Sequence, residues 1–418
     1  MSESSHTEQT CVIIGASHAG VNLAFNLRRK GWKGALHLFD ADPALPYHRP
    51  PLSKAYLSSE GGIEEHALRP WESYEKENIQ LHLGLKVAQI HRQEKQIALE
   101  DGSIHPYDKL VLATGARPLV PPIPGLTEAP NLFLLRTARD IEKIREALAA
   151  KPKAQVVIIG GGYIGLETAA SLRKLGAEVH IVEREERVLA RVTAPEVSAF
   201  YHSLHEAKGA KVHVGKNVTE IQAQGQQSLV CCGDGSQFLA DLVILGVGIR
   251  VNLELAQAAG LEVANGIKVD ETTQTSDPDI FAIGDCTYHY TPHYDRFIRL
   301  ESVQNAIDQA KVASLALCGE EAKYNSLPWF WSDQYEVKLQ IVGLNSGYDE
   351  VVVRRDHEAK FSVWYFQGDT LLAVDAINDA KAYVLGTRFI KGGQRLDKGK
   401  LADPTCPLKP AELVLQEA

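Results

Sequence analysis

Two clusters of small residues mark the places where this chain turns from an apolar run into a helical pattern, and each is followed by an acid. The first lies in CVIIGASHAG, residues 11–20, and supplies Gly15, Ser17, His18 and Ala19; Asp40 closes the next apolar run, HLFD. The second lies in VVIIGGGYIGLETAASL from residue 156, with Gly160, Gly162 and Gly165 in full G-x-G-x-x-G register. Tyr163 and Ile164 open its helix, and Glu183 closes EVHIVE. A glycine at a strand end permits a tight turn, and small residues let main-chain N–H groups approach a pyrophosphate. A helix N-terminus then stabilises the negative charge, and a carboxylate at the next strand end accepts from ribose hydroxyls. The acids follow their first glycines by 25 and 23 residues, close to the spacing such a unit needs. One glycine motif is weak on its own, but two complete strand–turn–helix–strand–acid series predict two bound dinucleotides. The first series departs from the pattern at Ser17, whose Cβ narrows the approach to the phosphates. Glu183 favours a free 2′-hydroxyl over a 2′-phosphate and so predicts NADH, with Arg184 beside it as a possible opposing charge.

The elements that must carry these residues follow from length and pattern. With 418 residues the chain is too long for one ordinary domain. No apolar run approaches the roughly 20 residues of a membrane span, and the polar start MSESSHTEQT lacks the order of a signal peptide. A cytoplasmic protein with no membrane partner is the expectation. The net charge of −9 argues against nucleic acid. The six cysteines are scattered without a C-x-x-C pair, so neither a disulfide scaffold nor a metal site is expected.

Several further segments, in order, resemble the oxygenase-coupled NADH-dependent ferredoxin reductases of the putidaredoxin reductase type. They are YHRPPLSKAYL (47–57), ATGARP (113–118), GGGYIGLE (160–167), TSDPDIFAIGD (275–285), ESVQNA (301–306) and PWFWSDQY (328–335). The resemblance implies an α/β fold with two Rossmann-like, glutathione-reductase-like dinucleotide-binding domains plus a C-terminal α+β domain. Residues 1–115 and 245–325 would bind FAD, residues 116–244 would bind NAD, and residues 326–418 would form the third domain. It further implies that Asp285 meets the flavin ribityl chain and that Ala113, Thr114, Gly115, Arg49 and Gln304 lie along the FAD. Gly248 would flank the nicotinamide. Lys54, paired to Glu167 near the reactive edge of the flavin, and Trp331 beside it are the implied catalytic residues. The family usually has proline where Val251 stands.

The reaction implied is hydride transfer from NADH to FAD, then release of single electrons to a [2Fe–2S] ferredoxin serving an oxygenase of cytochrome P450 or Rieske type. A related dithiol route requires a cysteine pair after the first βαβ unit, and residues 41–56 contain none. An acidic ferredoxin needs a local basic patch on this acidic chain. The candidates are Arg296, Arg299, Arg388, Lys391 and Arg395, with Lys381, Lys398 and Lys400 nearby. Alternatives are reduction of rubredoxin or a small radical, and an apoptosis-inducing-factor-like flavoprotein that responds to NADH without rapid turnover.

Overall fold

Burial on both faces explains the two central sheets. The computed structural model describes residues 8–151 and 153–415; residues 1–7, most of the polar start read above, and 416–418 lie outside the described residues. The chain forms two compact units, one of residues 1–49, 61–117 and 249–326 and the other of residues 50–60, 118–248 and 327–418.

In the first unit, the strand Cys11–Ile14 lies between Leu36–Asp40 and Lys109–Leu112, all parallel, with Ile280–Ala282 and Ile79–Leu83 at the two edges. These strands are continuous apolar runs because helices and a second layer cover both faces. Cys11, Val12, Ile13, Leu110 and Leu112 are fully buried. The helices His18–Arg29 and Val303–Leu317 pack against each other over one face. An antiparallel sheet, Val87–His91, Gln96–Leu99 and Ile104–Pro106, helps cover the other. Arg28 ends the first helix by donating to the carbonyls of Trp32, Gly34, Glu77 and Asn78 at 2.7–2.8 Å, so one guanidinium ties the helix to the loops behind it. Val251, where a proline was expected, lies in the strand Ile249–Val251 and packs on this core.

The second unit repeats the plan. Its parallel sheet runs Lys211–His213, Glu178–Val182, Gln155–Ile159, Leu242–Leu245 and Leu132–Phe133, with the helix Tyr163–Lys174 following the central strand. The same unit holds a five-stranded antiparallel sheet in the order Trp329–Gln334, Val337–Gly343, Thr370–Ile377, Lys360–Gln367, Glu350–His357. The helix Ala380–Lys391 lies on it, seated closely because Gly386 has no side chain: a Cβ there would come within 2.6 Å of Val374. Segment 50–60 also belongs to this unit. Its turn Pro50–Ser53 and short helix Ala55–Ser58 pack on the helix Tyr163–Lys174, where the main-chain oxygen of Ser53 accepts from Ser171 Oγ at 2.8 Å. Two Rossmann-like bodies and an α+β sheet therefore make up the fold.

Candidate functional site

The first glycine turn is built around close main-chain approach. Gly15 has φ +110°, and a Cβ there would lie 2.2 Å from the carbonyl oxygen of Ala113. Gly160 in the second unit repeats this with φ +109° and a Cβ 2.5 Å from the oxygen of Gly246. Neither position tolerates a side chain. Gly162 is different: its backbone is extended, and a Cβ would meet nothing nearer than 3.9 Å. Ser17 holds the equivalent place with φ −95°, so serine costs the turn nothing, and its Oγ accepts from Arg49 Nε at 3.4 Å.

The two acids are anchored alike. Asp40 accepts the Ala16 N–H at 2.6 Å on one oxygen and the Asp42 N–H at 2.8 Å on the other. Glu183 accepts the Gly161 N–H at 2.6 Å and the Glu185 N–H at 2.8 Å. One N–H per oxygen fixes each carboxylate at its strand end and leaves lone pairs for hydroxyl donors. Arg184 is exposed and pairs with Glu185 at 2.8 Å. Neither glycine-turn helix has an acid in its first turn or a side chain capping it. The positive end of each helix is thus left for an external anion. By donor set and by clearance, both turns fit a dinucleotide.

Around the first turn the structure gathers most of the FAD candidates. His18 is buried with its Nε2 3.3 Å from His48 Nδ1. Arg49 stacks on Tyr47 and donates to its hydroxyl at 2.9 Å. The 113–118 loop is pinned by Asn252, which donates to the Thr114 oxygen at 2.8 Å while the Thr114 hydroxyl donates to the Asn252 oxygen at 3.0 Å. Asp285 sits in the turn Gly284–Cys286 after the strand Ile280–Ala282, where Gly284 (φ +82°) faces Ala19. Gln304 is buried in the first turn of its helix and donates to Asp308.

In the second unit, Lys54 and Glu167 meet at 2.6 Å; the Glu167 side chain is 1% exposed and that of Lys54 20%. Two residues not singled out from the sequence complete this centre. Ser53 Oγ donates to the same Glu167 oxygen at 2.6 Å, and Ser332 Oγ donates to the other at 2.6 Å. Ser53 precedes Lys54 within the 47–57 segment, and Ser332 follows Trp331 on the strand Trp329–Gln334. Alternation turns Ser332 and Gln334 inward while Trp329, Trp331 and Asp333 face the other way. Trp331 lies 5.6 Å, centroid to centroid, from Trp329. Tyr163 turns its ring against Phe330 at 4.9 Å, and its buried hydroxyl is held protonated, its pKa raised first by burial and then by Asp375 and Tyr201. Ile164 is exposed, and Gly248 (φ +110°) accepts from the Leu119 N–H at 3.0 Å.

The six cysteines are free. Burial pushes Cys11 up to about 12 and raises Cys232, Cys286 and Cys318, the opposite of a reactive thiolate. On the helix Ala380–Lys391 the exposed positions are Ala380, Lys381, Val384, Arg388 and Lys391. Other expected patch members are neutralised: Arg395 pairs with Asp369, Lys398 with Glu350 at 2.5 Å, and Arg299, 15% exposed, with Glu301 at 2.6 Å. Among the described residues no helix is long and apolar enough to cross a membrane.

Two dinucleotide-binding bodies without a dithiol define a flavin- and pyridine-nucleotide-dependent oxidoreductase. Residues 9–310 match the pyridine nucleotide-disulphide oxidoreductase family and residues 329–412 the reductase C-terminal family. Putidaredoxin reductase CamA of Pseudomonas putida is 44% identical over 404 residues, covering 95% of each chain. The crystal structure of a covalent putidaredoxin reductase–putidaredoxin complex superposes with a TM-score of 0.91 at 44% identity, covering 96% of this chain and 97% of that one. A ferredoxin reductase from Rhodopseudomonas palustris gives 0.92 at 39% identity, covering 97% and 100%. The chain belongs to the pyridine nucleotide-disulphide oxidoreductase family, in the branch of oxygenase-coupled ferredoxin reductases.

Proposed function

We propose that this protein is an FAD-dependent reductase that takes a hydride from NADH and delivers single electrons to a [2Fe–2S] ferredoxin serving an oxygenase. The observation that carries this reading is the duplicated glycine turn with its anchored acid, combined with six free cysteines, none of them within the segment 41–56 that follows the first turn. Relatives named for ferredoxins favour it over a rubredoxin or radical acceptor and over an NADH-responsive signalling flavoprotein. FAD, when bound, accepts two electrons together from the nicotinamide and releases them singly, which a one-electron cluster requires.

The chain's own residues bind and orient. Gly15, Ser17, His18 and Ala19 open the FAD helix, and Asp40 accepts from the adenosine ribose. Arg49, Ala113, Thr114, Gly115, Asp285 and Gln304 complete that site. Gly160, Gly162, Tyr163, Ile164 and Gly165 present helix N–H groups to the NADH pyrophosphate, with Glu183 on its ribose and Gly248 near the nicotinamide end. Because the Tyr163 ring is packed on Phe330, the main chain at this residue serves the nucleotide. Lys54, held by Glu167, supplies positive charge for the electron density added to the flavin, with Trp331 as its aromatic neighbour. Residues 1–115 and 245–325 are assigned to FAD, 116–244 to NAD and 326–418 to a C-terminal domain, supported by the separate family match at 329–412.

The ferredoxin docks on a basic patch formed by Arg388 and Lys391, with Arg296, Arg299 and Arg395 the other candidates. Arg388 and Lys391 lead because the ion pairs of Arg299 and Arg395 leave less net charge to offer. The protein is assigned to the cytoplasm, where its six thiols stay reduced. The test is NADH-driven reduction, followed by absorbance, of a panel of [2Fe–2S] ferredoxins, rubredoxin and small acceptors. Rapid reduction of at least one ferredoxin, slowing as salt rises, is expected. Reduction of small acceptors alone refutes the reading.

A further inference from the structure

Glu167 is the end of a buried chain of hydrogen bonds whose direction can be worked out from its first link. An ionised carboxylate only accepts, so Ser332 Oγ must donate to Glu167 Oε1, at 2.6 Å. With its proton committed there, the Ser332 oxygen accepts from the Gln334 amide nitrogen at 3.2 Å. The Gln334 oxygen then faces His205 Nε2 at 2.9 Å, which fixes the proton on that nitrogen. His205 Nδ1 is consequently bare, and it is buried without a hydrogen-bond partner among the described residues. Burial lowers the His205 pKa to about 4, so the ring is neutral and this tautomer is the working one. Ser332, Gln334 and His205 are all 0% exposed. Every donor in the chain points toward Glu167, and Ser53 and Lys54 add two more on its other oxygen.

We infer that Ser332, oriented by Gln334 and His205, is a positioning residue that locks the Glu167 carboxylate and through it places the Lys54 ammonium for flavin reduction. A lysine on a four-carbon stem is flexible, and one carboxylate contact would let the pair rotate together. The opposing serines prevent that, since each holds a different oxygen. Ser332 thereby ties the strand that carries Trp331 to the charge beside the flavin. The inference rests on the assignment of Lys54 and Glu167 to flavin reduction, and the two can fail separately.

The experiment uses FAD-loaded wild type, Ser332→Ala, Ser332→Thr, Lys54→Met and the Lys54→Met/Ser332→Ala double variant. Anaerobic stopped-flow gives the limiting rate of flavin bleaching and the NADH dissociation constant. Acetic anhydride labelling, read by mass spectrometry, reports the freedom of Lys54 on the same preparations. Losing a donor to a buried carboxylate predicts a limiting rate about tenfold lower for Ser332→Ala, with NADH affinity within about twofold. Lys54 labelling should be several-fold faster, and Ser332→Thr should restore both. In the Lys54→Met background, Ser332→Ala should slow the reaction by less than about twofold, because coupled residues are not additive. If Ser332→Ala does not retain FAD, Ser332→Cys, a weak donor of similar size, takes its place with the same expectations. A slow Lys54→Met enzyme with wild-type rate and labelling in the Ser332 variants overturns the inference alone. A Lys54→Met enzyme that is reduced at the wild-type rate overturns the assignment beneath it.

Discussion

Replacing Glu183 with glutamine should turn an NADH enzyme into one that accepts both nicotinamide cofactors. The carboxylate is half-buried and fixed by the N–H groups of Gly161 and Glu185 at 2.6 and 2.8 Å, and Arg184 is occupied by Glu185. Two unit charges about 4 Å apart repel by ~1 kcal/mol in water and ~4 kcal/mol at an effective dielectric of 20. Relieving that repulsion against a 2′-phosphate, at a half-exposed strand end, is worth ~1–3 kcal/mol. The expected gain in kcat/KM for NADPH is therefore about 5- to 160-fold. NADH loses a charged acceptor and keeps a neutral one, a difference of ~1 kcal/mol, or roughly fivefold. Glutamine has a single oxygen, so one of the two backbone N–H groups also loses its acceptor. Steady-state ferricyanide reduction with each cofactor measures both numbers. An unchanged NADPH/NADH ratio would refute the placing of Glu183 on the ribose.

Three other outcomes follow from the same geometry. Reversing charge at Arg388 and Lys391 together should raise the KM for ferredoxin about tenfold, weakening steered association, while NADH–ferricyanide turnover stays unchanged; equal loss of both would defeat the patch. Gly160→Ala should weaken NADH binding at least about tenfold, by fluorescence titration, since its Cβ would press within 2.5 Å of a carbonyl oxygen at φ +109°; wild-type affinity would contradict this. Asp375, buried and accepting from Tyr365 at 2.5 Å, is pushed up by burial to about 7. The folded protein keeps that proton after the unfolded chain has lost it. The stability it adds is complete below about pH 4 and is lost as pH rises through 7, by up to ~1.4 kcal/mol per pH unit. Urea midpoints between pH 4 and 8 should show this decline in wild type and not in Asp375→Asn; parallel curves would rule it out.

The legible part of the site was the part set by local backbone geometry. Gly15, Gly160, Asp40 and Glu183 could be read in sequence because a strand, a turn and a helix place each glycine within about 25 residues of its own acid. The Lys54–Glu167 pair spans 113 residues, and only the resemblance suggested it. Ser332, Gln334 and His205 carried no sequence signal, since serine, glutamine and histidine are ordinary residues until two separate segments, the strand Trp329–Gln334 and the helix Pro195–Ala207, bring them together. The basic run at 381–400 illustrates the reverse problem. Its cations are visible in order, but Asp369, in the turn before the strand Thr370–Ile377, and Glu350, at the start of the strand Glu350–His357, neutralise Arg395 and Lys398 from elsewhere in the chain. Ser17 departs from the motif where its Cβ borders the expected phosphates; the open space at Gly162 shows only that the turn itself does not require glycine there.

Electron stoichiometry tests the central claim most directly. In an anaerobic titration of the yellow holoprotein with excess [2Fe–2S] ferredoxin, each NADH added should reduce two clusters, with flavin bleaching only after the ferredoxin is exhausted. Flavin that bleaches at once while the clusters stay oxidised, or electrons that pass only when a disulfide substrate is present, would contradict the account.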